Sequence, residues 1–400
     1  MASTNLLQAM KQILVAHGFW LEKSCLHGQQ NISKMNYGTP GALLRRNIKT
    51  EWYDNVISSD SNVFPVENNI ISDVTEESSI DKRKFKLSCV NNEEMRHWFM
   101  RRNFTEDMLE HYIPSLNLVN GRLPFTLVQI GKIYNEDPDE NSDALWNRII
   151  EETIMAVQHY TAPSNMFQTL DQWIVNRLRW WKKFLSNPGE LSTVEVKSES
   201  SDITMTKIQY KCPWGLETIE TVCNIQDQHL QNLETKTGIS CKGKWMRKTV
   251  LPHVLHLQTS LEKSMMAILV DSFKEKEIFS TKSVKKQDPR YVLQLHTHLA
   301  PFKVALATSG NKTKEIRHLA DHFLQELRQN GMMVLDVSDS NGQTSQFKRY
   351  DELGIPYTVI MNDQTLDTGV VGLRNRDTNL REQLHVSNIT EKLVKYLRPI

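Results

Sequence analysis

The most legible chemistry in this chain lies in three clusters of cations. Lys82, Arg83, Lys84 and Lys86 form one; Lys242, Lys244, Arg247 and Lys248 surround Trp245; Lys282, Lys285, Lys286 and Arg290 form the third. Cations at this density can neutralise a run of nucleic-acid phosphates, a contact that ignores base sequence and weakens steeply with salt. The 48 Lys and Arg are matched by 47 Asp and Glu, so any hold on nucleic acid must come from such patches and not from overall charge. On a near-neutral protein the plain alternative is a solvated face. A tryptophan–arginine stretch, QWIVNRLRWWKKF, reads as a helix with one stripe of Ile174, Leu178, Trp181 and Leu185. Its second stripe holds Trp173, Arg177, Trp180 and Phe184, which is expected of a helix buried on two sides more than of a base-stacking surface. The five cysteines, Cys25, Cys89, Cys212, Cys223 and Cys241, include no CxxC pair. That argues for a reducing compartment and against a zinc site or disulfide framework; no metal and no cofactor are expected.

The scaffold must position these groups. Four hundred residues, 39% of them apolar, suggest two or three domains with real cores. No apolar run approaches the roughly eighteen residues of a membrane-spanning helix. Residues 5–20 suit an amphipathic helix. No acidic residue precedes Glu22, as a mitochondrial leader requires, yet only Lys11 is basic there and leaders are Arg-rich. A helical segment over 1–35 belonging to the protein body is the expectation.

The last stretch, 291–400, is the clearest. Val304 to Leu306 reads as a strand, and Ile316, Leu319, Ala320, Phe323, Leu324 and Leu327 mark one helical face. Gly331 suits a left-handed cap, followed by a strand over Met332–Leu335 and a helix through Lys348–Asp351 that ends at Gly354. Strands follow at Tyr357–Ile360 and Gly369–Leu373, then a helix capped by Asn388, with Ile389, Leu393, Val394 and Leu397 inward. This pattern predicts a small α/β domain with a parallel sheet core.

The blocks LAPFKVAL, LDVSDS, FKRYDELGIPYTVI and GVVGLRNRDTNLREQ resemble, in order, the anticodon-binding domain of class II aminoacyl-tRNA synthetases of the glycyl, prolyl, threonyl and histidyl type. YGTPGALLRRNIKTEWYDNVI with NVFPV is similar to motif 1 of the glycyl type, a dimer-building helix and strand. NGRLPFTLVQIGKIYNEDPDE resembles motif 2, whose arginine grips the amino-acid carboxylate and the α-phosphate. The matched position here is Asn135; an amide cannot neutralise that charge, and losing one such donor costs about 3 kcal/mol or more. LPHVLHLQTSLEKSMMAILVDSF resembles motif 3, with Ser260 for its glycine and Lys263 for its arginine, which keeps the charge but loses the fork. In PWGLETIETVCNIQDQHLQNL, Ile225 stands where the pocket arginine is expected. The resemblance implies an α+β class II core built on an antiparallel sheet, degenerate and non-catalytic, followed by an anticodon-binding-like α/β domain with a mixed sheet.

Taken together these blocks resemble the accessory subunits of mitochondrial DNA polymerases. That family implies a non-catalytic processivity subunit that binds the polymerase catalytic subunit, strengthens its hold on primer–template DNA and resides in the mitochondrial matrix. An active glycyl-like synthetase and a free-standing tRNA-binding paralogue are the alternatives. The core is expected over 36–290, with a short helical interval at 85–115 and a mobile Ser-, Thr- and Glu-rich loop at 186–206. Vertebrate members carry a longer helical insertion before motif 2 that pairs two copies; its shortness here leaves homodimerisation in doubt. DNA-binding candidates are Lys242, Lys244, Arg247, Lys248, Lys282, Lys285 and Lys286. Gly369, Val371 and Leu373 are polymerase-binding candidates, because glycine in a strand often marks close approach by another backbone.

Overall fold

The computed structural model describes residues 2–21, 36–59, 62–72, 86–91, 94–134, 151–197, 204–276, 289–308, 313–336 and 342–397. Helix α1 (Ala2–Ala16) is followed by α2 (Thr39–Ser58), which carries Pro40 in its first turn and buries Leu43, Leu44, Ile48, Trp52 and Val56. Proline fits there because the first turn's N–H groups have no helical partner. Strands β1 (Val63–Pro65), β2 (Ile71–Ser72), β3 (Lys86–Asn91) and β4 (Glu94–Met100) precede a 3₁₀ turn at Asp107–His111 and α3 (Tyr112–Leu118). The long strands β5 (Phe125–Tyr134) and β6 (Glu151–Thr161) lead to α4 (Met166–Phe184), then β7 (Leu191–Lys197), β8 (Thr204–Cys212) and β9 (Gly215–Asn224). Helix α5 (Gln228–Thr237), the hairpin β10 (Gly243–Trp245) and β11 (Lys248–Val250), β12 (His253–Ser260) and α6 (Leu261–Ser272) complete the large unit.

Its sheet has the order β1-β5-β6-β12-β9-β8-β7. β1 runs parallel to β5 and every other neighbour is antiparallel. Val128, Met155, Val157, Leu255 and Leu257 on one face pack with the apolar sides of α2, α4 and α6. Phe125, Leu127, Ile154, Ala156, Tyr160 and Val254 on the other meet Phe104, Met108, Tyr112 and Leu230. The sheet is therefore covered on both sides, which is why β6 is buried along nearly its whole length.

Helix α4 buries the stripe of Trp173, Arg177, Trp180 and Phe184. In the other stripe Trp181 and Leu185 are buried, whereas Ile174 and Leu178 are only half-buried. Arg177 (0% exposed) forms two bonds to Glu220 (1% exposed) at 2.6 and 3.2 Å. The Trp181 indole also donates to Glu220 at 2.7 Å, and Arg177 donates to Asn55 Oδ1 at 2.9 Å. A buried charge pair is tolerable only with such complete pairing.

A short antiparallel pair, β13 (Phe273–Lys276) and β14 (Arg290–Leu293), leads into the terminal domain. There β15 (Val304–Thr308), α7 (Lys314–Gln329), β16 (Val334–Leu335), α8 (Gln343–Glu352), β17 (Tyr357–Met361), α9 (Asp363–Thr368), β18 (Val370–Asn375), β19 (Arg381–His385) and α10 (Val386–Leu397) follow in order. The sheet order is β16-β15-β17-β18-β19, parallel about β15 and antiparallel beyond β17. Thr313 caps α7 by accepting from the Ile316 N–H. Asn388 does not cap α10, which already starts at Val386. Asp351 of α8 holds both Arg374, at 2.8 and 2.9 Å, and Lys276, at 2.7 Å. His17 bonds Glu352 at 2.8 Å, so α1 and the terminal domain are tied to one body.

Two expectations are corrected. The interval 85–115 is helical only in its second half; its first half is the hairpin of β3 and β4, paired from Lys86–Phe99 to Asn91–Glu94. Short apolar runs fit either period, and here cross-strand pairing decides. The loop expected at 186–206 is instead largely β7 and β8, paired from Leu191–Tyr210 to Lys197–Thr204, with only 198–203 outside the described residues. Alternating Val and Thr residues outweigh the polar composition there.

Candidate functional site

The segments read as motifs 1 and 3 meet strand β6 where α2 and α6 pack together. Ser260 ends β12 and caps α6, its Oγ accepting from the Lys263 N–H at 3.2 Å. The same hydroxyl donates to Glu152. A serine in place of glycine is thus used for capping, a local structural task. From α2, Arg45 pairs with Glu262 at 2.7 Å and donates to Thr153 Oγ1 at 2.9 Å. The Thr153 N–H donates to Glu262 at 2.9 Å, and Arg45 lies 4.2 Å over the Tyr37 ring. Burial pushes the Glu262 carboxyl above its ordinary range, with Arg45 opposing the shift. Side chains of the protein itself occupy each other here. Ile225 is half-buried with Leu230 and Leu233, its N–H bonded to Val254 O at 3.0 Å. Asn135 lies outside the described residues.

The sheet face opposite α2 and α6 forms a second buried floor. Across it Leu127, Gln158, His256 and Cys223 stand in one register row. Gln158 donates to Thr105 O at 2.8 Å and accepts from the Tyr160 hydroxyl at 2.5 Å; His256 Nε2 is 2.8 Å from Gln258 Nε2. Burial, with a smaller effect of His229, lowers His256 to about 4, so the ring is neutral at physiological pH. Residues 101–112 lie across this floor, with Phe104, Met108 and Tyr112 fully buried. The Arg101 guanidinium stacks 4.1 Å from the Phe104 ring and Nε donates to Lys132 O at 3.1 Å. A ligand on this face would have to displace that segment. Sequence reasoning missed it; the signal was the spacing of Phe104, Met108, Tyr112 and Leu116 at every fourth residue.

The second cationic cluster forms the hairpin β10–β11. Lys242, Lys244, Arg247 and Lys248 are all exposed, and among the described residues none is in an ion pair. The hairpin is fixed at its base: Leu123 N–H donates to Lys244 O at 2.9 Å, Lys244 N–H to Gly121 O at 2.6 Å, and Leu123 packs beneath Gly243. The adjoining Arg122 is exposed too. Lys282, Lys285 and Lys286, like Lys82, Arg83 and Lys84, lie outside the described residues.

The polymerase-binding candidates on β18 are placed differently from expectation. Gly369 precedes the strand as the C-cap of α9, at φ +67°, its N–H donating to Thr365 O. Glycine is there for the left-handed backbone. Val371 and Leu373 are 1% and 2% exposed and belong to the terminal-domain core. In this chain their side chains point into that core.

Burial raises the thiols of Cys212, Cys223 and Cys241, the last two to about 11, so these are packing residues without thiolate reactivity. Among the described residues no group of three or more His, Cys, Asp or Glu is placed to hold a metal ion, and no helix is long and apolar enough to cross a membrane.

The comparisons with known proteins agree with this geometry. Residues 303–396 match the family described as Anticodon binding domain. A glycine–tRNA ligase of Deinococcus radiodurans is 23% identical over 76% of this chain and 65% of its own length. The fold is that of the class II synthetases: an antiparallel-sheet core followed by an anticodon-binding domain with a mixed sheet. DNA polymerase subunit gamma-2 of Bos taurus is 32% identical over 90% of this chain and 78% of its own length. The Xenopus laevis protein, named DNA polymerase subunit gamma-2, mitochondrial, is 30% identical over 90% and 81% respectively. The chain belongs to the DNA polymerase subunit gamma-2 family.

Proposed function

We propose that this chain is a non-catalytic processivity subunit of a mitochondrial replicative DNA polymerase, acting in the matrix. The observation that carries this reading is the family relationship, 30–32% identity over nine-tenths of the chain. The filled sheet floor supports it. Phe104 and Arg101 are packed against it, and Ser260 and Lys263 offer no planar fork for a phosphate. The chain would bind the catalytic subunit and add cationic surface near the duplex, slowing dissociation from primer–template while leaving nucleotide addition to its partner. DNA contact is assigned to Lys242, Lys244, Arg247 and Lys248, and to Lys282, Lys285 and Lys286 by their sequence. With Val371 and Leu373 inside the core, the contact with the catalytic subunit belongs to outward residues of the terminal domain. The short interval before β5 argues against pairing through a helical insertion, and pairing of two copies through the motif 1 helix α2 stays open. The test is co-purification: the tagged chain should retain the catalytic polymerase subunit from mitochondrial extract. Retention of a tRNA in its place would favour the synthetase-paralogue reading.

A further inference from the structure

The tip of the β10–β11 hairpin has a feature that phosphate contact alone does not use. Met246 is 88% exposed, more than any other large apolar side chain among the described residues. It also sits at φ +54°, where a residue with a Cβ is strained and Gly or Asn is usual. An exposed thioether held in an unfavourable backbone, at the end of a pinned hairpin, has no folding purpose in this structure. Cations surround it. Trp245 pairs with Lys248 and Lys244 with Thr249, so by strand alternation Lys248 and Lys244 leave opposite faces of the ribbon. Arg247 is beside Met246 at the turn, and Lys242 immediately precedes β10. Cations on both faces suit the two phosphate backbones that flank a duplex groove; a flat anionic surface would engage one face.

We propose that the Met246 tip is an apolar wedge that enters a duplex from the minor-groove side and partly opens one base step, with the surrounding cations on the flanking phosphates. Methionine is among the side chains that can be inserted between base steps, bending the duplex as they unstack it. The insertion needs no base-specific hydrogen bonds, as suits a subunit that must follow a moving polymerase. It rests on the DNA-binding part of the proposed function and adds the bend and the residue that produces it.

The test uses the whole chain and a short duplex carrying a fluorophore at each end, so that energy transfer reports bending and titration reports affinity. Three proteins are compared: the natural chain, Met246→Gly, and the quadruple change Lys242→Ala, Lys244→Ala, Arg247→Ala and Lys248→Ala. Met246→Gly relieves the left-handed strain, so its thermal midpoint should equal or exceed that of the natural chain. It should lose the bend and about tenfold in affinity while keeping the salt dependence. The quadruple variant should flatten the slope of log affinity against log salt by about one for each phosphate that is no longer neutralised. An unchanged bend and affinity in Met246→Gly would overturn the wedge, even if the quadruple variant behaved as expected. An unchanged salt slope in the quadruple variant would remove the whole hairpin from DNA. Binding to phosphatidylserine vesicles that depends on Met246, without duplex bending, would assign the tip to a lipid surface and overturn the proposal. Because the polymerase is absent, failure to stimulate synthesis would count against the proposed function without altering these outcomes.

Discussion

Gly131 of β5 lies directly under the Phe104 ring: a Cβ built on that glycine would stand 2.9 Å from Phe104 Cζ and 2.7 Å from Arg101 Nη2. The segment over the sheet is thus tightly packed against it. Gly131→Ala should destabilise by about 1–3 kcal/mol through overpacking. Phe104→Ala should cost about 3–5 kcal/mol through cavity formation, both read from urea unfolding. Neither variant should catalyse amino-acid-dependent pyrophosphate exchange. Exchange above a denatured control, in either variant or in the natural chain, would contradict the non-catalytic reading.

The Arg177–Glu220 pair gives a second expectation. Arg177→Ala leaves a carboxylate buried without its cation and should cost about 3–5 kcal/mol. Replacing both together, Arg177→Met with Glu220→Leu, should recover most of that loss because no charge is left stranded. A double variant no more stable than Arg177→Ala would show that α4 depends on the pair's hydrogen bonds to Trp181 and Asn55.

Stability should also depend on pH through His256. Its folded value is about 4, below the ordinary 6.5 or so of an exposed imidazole. Between these values the unfolded chain binds the extra proton, so stability rises with pH across that window and falls on acidification. At pH 5 the loss from this residue is about 2 kcal/mol relative to pH 7.5. His296, lowered to about 4 by burial and then by neighbouring His298, works in the same direction. His256→Gln should flatten the acid limb of a plot of unfolding free energy against pH; an unaltered limb would place the titration elsewhere.

Gly369 yields a fourth prediction. Any L residue at φ +67° is strained, and a Cβ there would lie 2.5 Å from His385 Nε2. Gly369→Glu should therefore lower the thermal midpoint, by an amount corresponding to about 1 kcal/mol or more. A Gly369→Glu protein of unchanged stability that no longer stimulated the polymerase would return this position to the interface.

Much of this architecture is legible in the sequence, and the reason is periodicity. The stripe from Ile316 to Leu327 and the Trp173, Arg177, Trp180 and Phe184 stripe each specify a buried face, and both faces are buried. Ile174 and Leu178 of the neighbouring stripe are only half-buried. The short elements are harder to read. β19 and the helix α9 carry no apolar pattern of their own, because β19 is an exposed edge strand and α9 is brief. The hairpin at 86–100 reads as helix in sequence, since its pairing partner is supplied by the fold and not by local preference. Gly369 misleads because a glycine that ends a helix and one that opens a strand look alike in sequence. The largest omission is the residue 101–112 segment: whether a face is open or filled depends on what lies over it in space.

This chain is expected to act on a polymerase and not on an amino acid. The most direct test is the length of DNA made in a single binding event by the catalytic subunit on a primed template, with a trap for dissociated enzyme, at fixed salt. Distinctly longer products are expected when the chain is added, with nucleotide addition proceeding at all only when the catalytic subunit is present. Product lengths that do not change with saturating amounts of the chain would contradict a role in processivity.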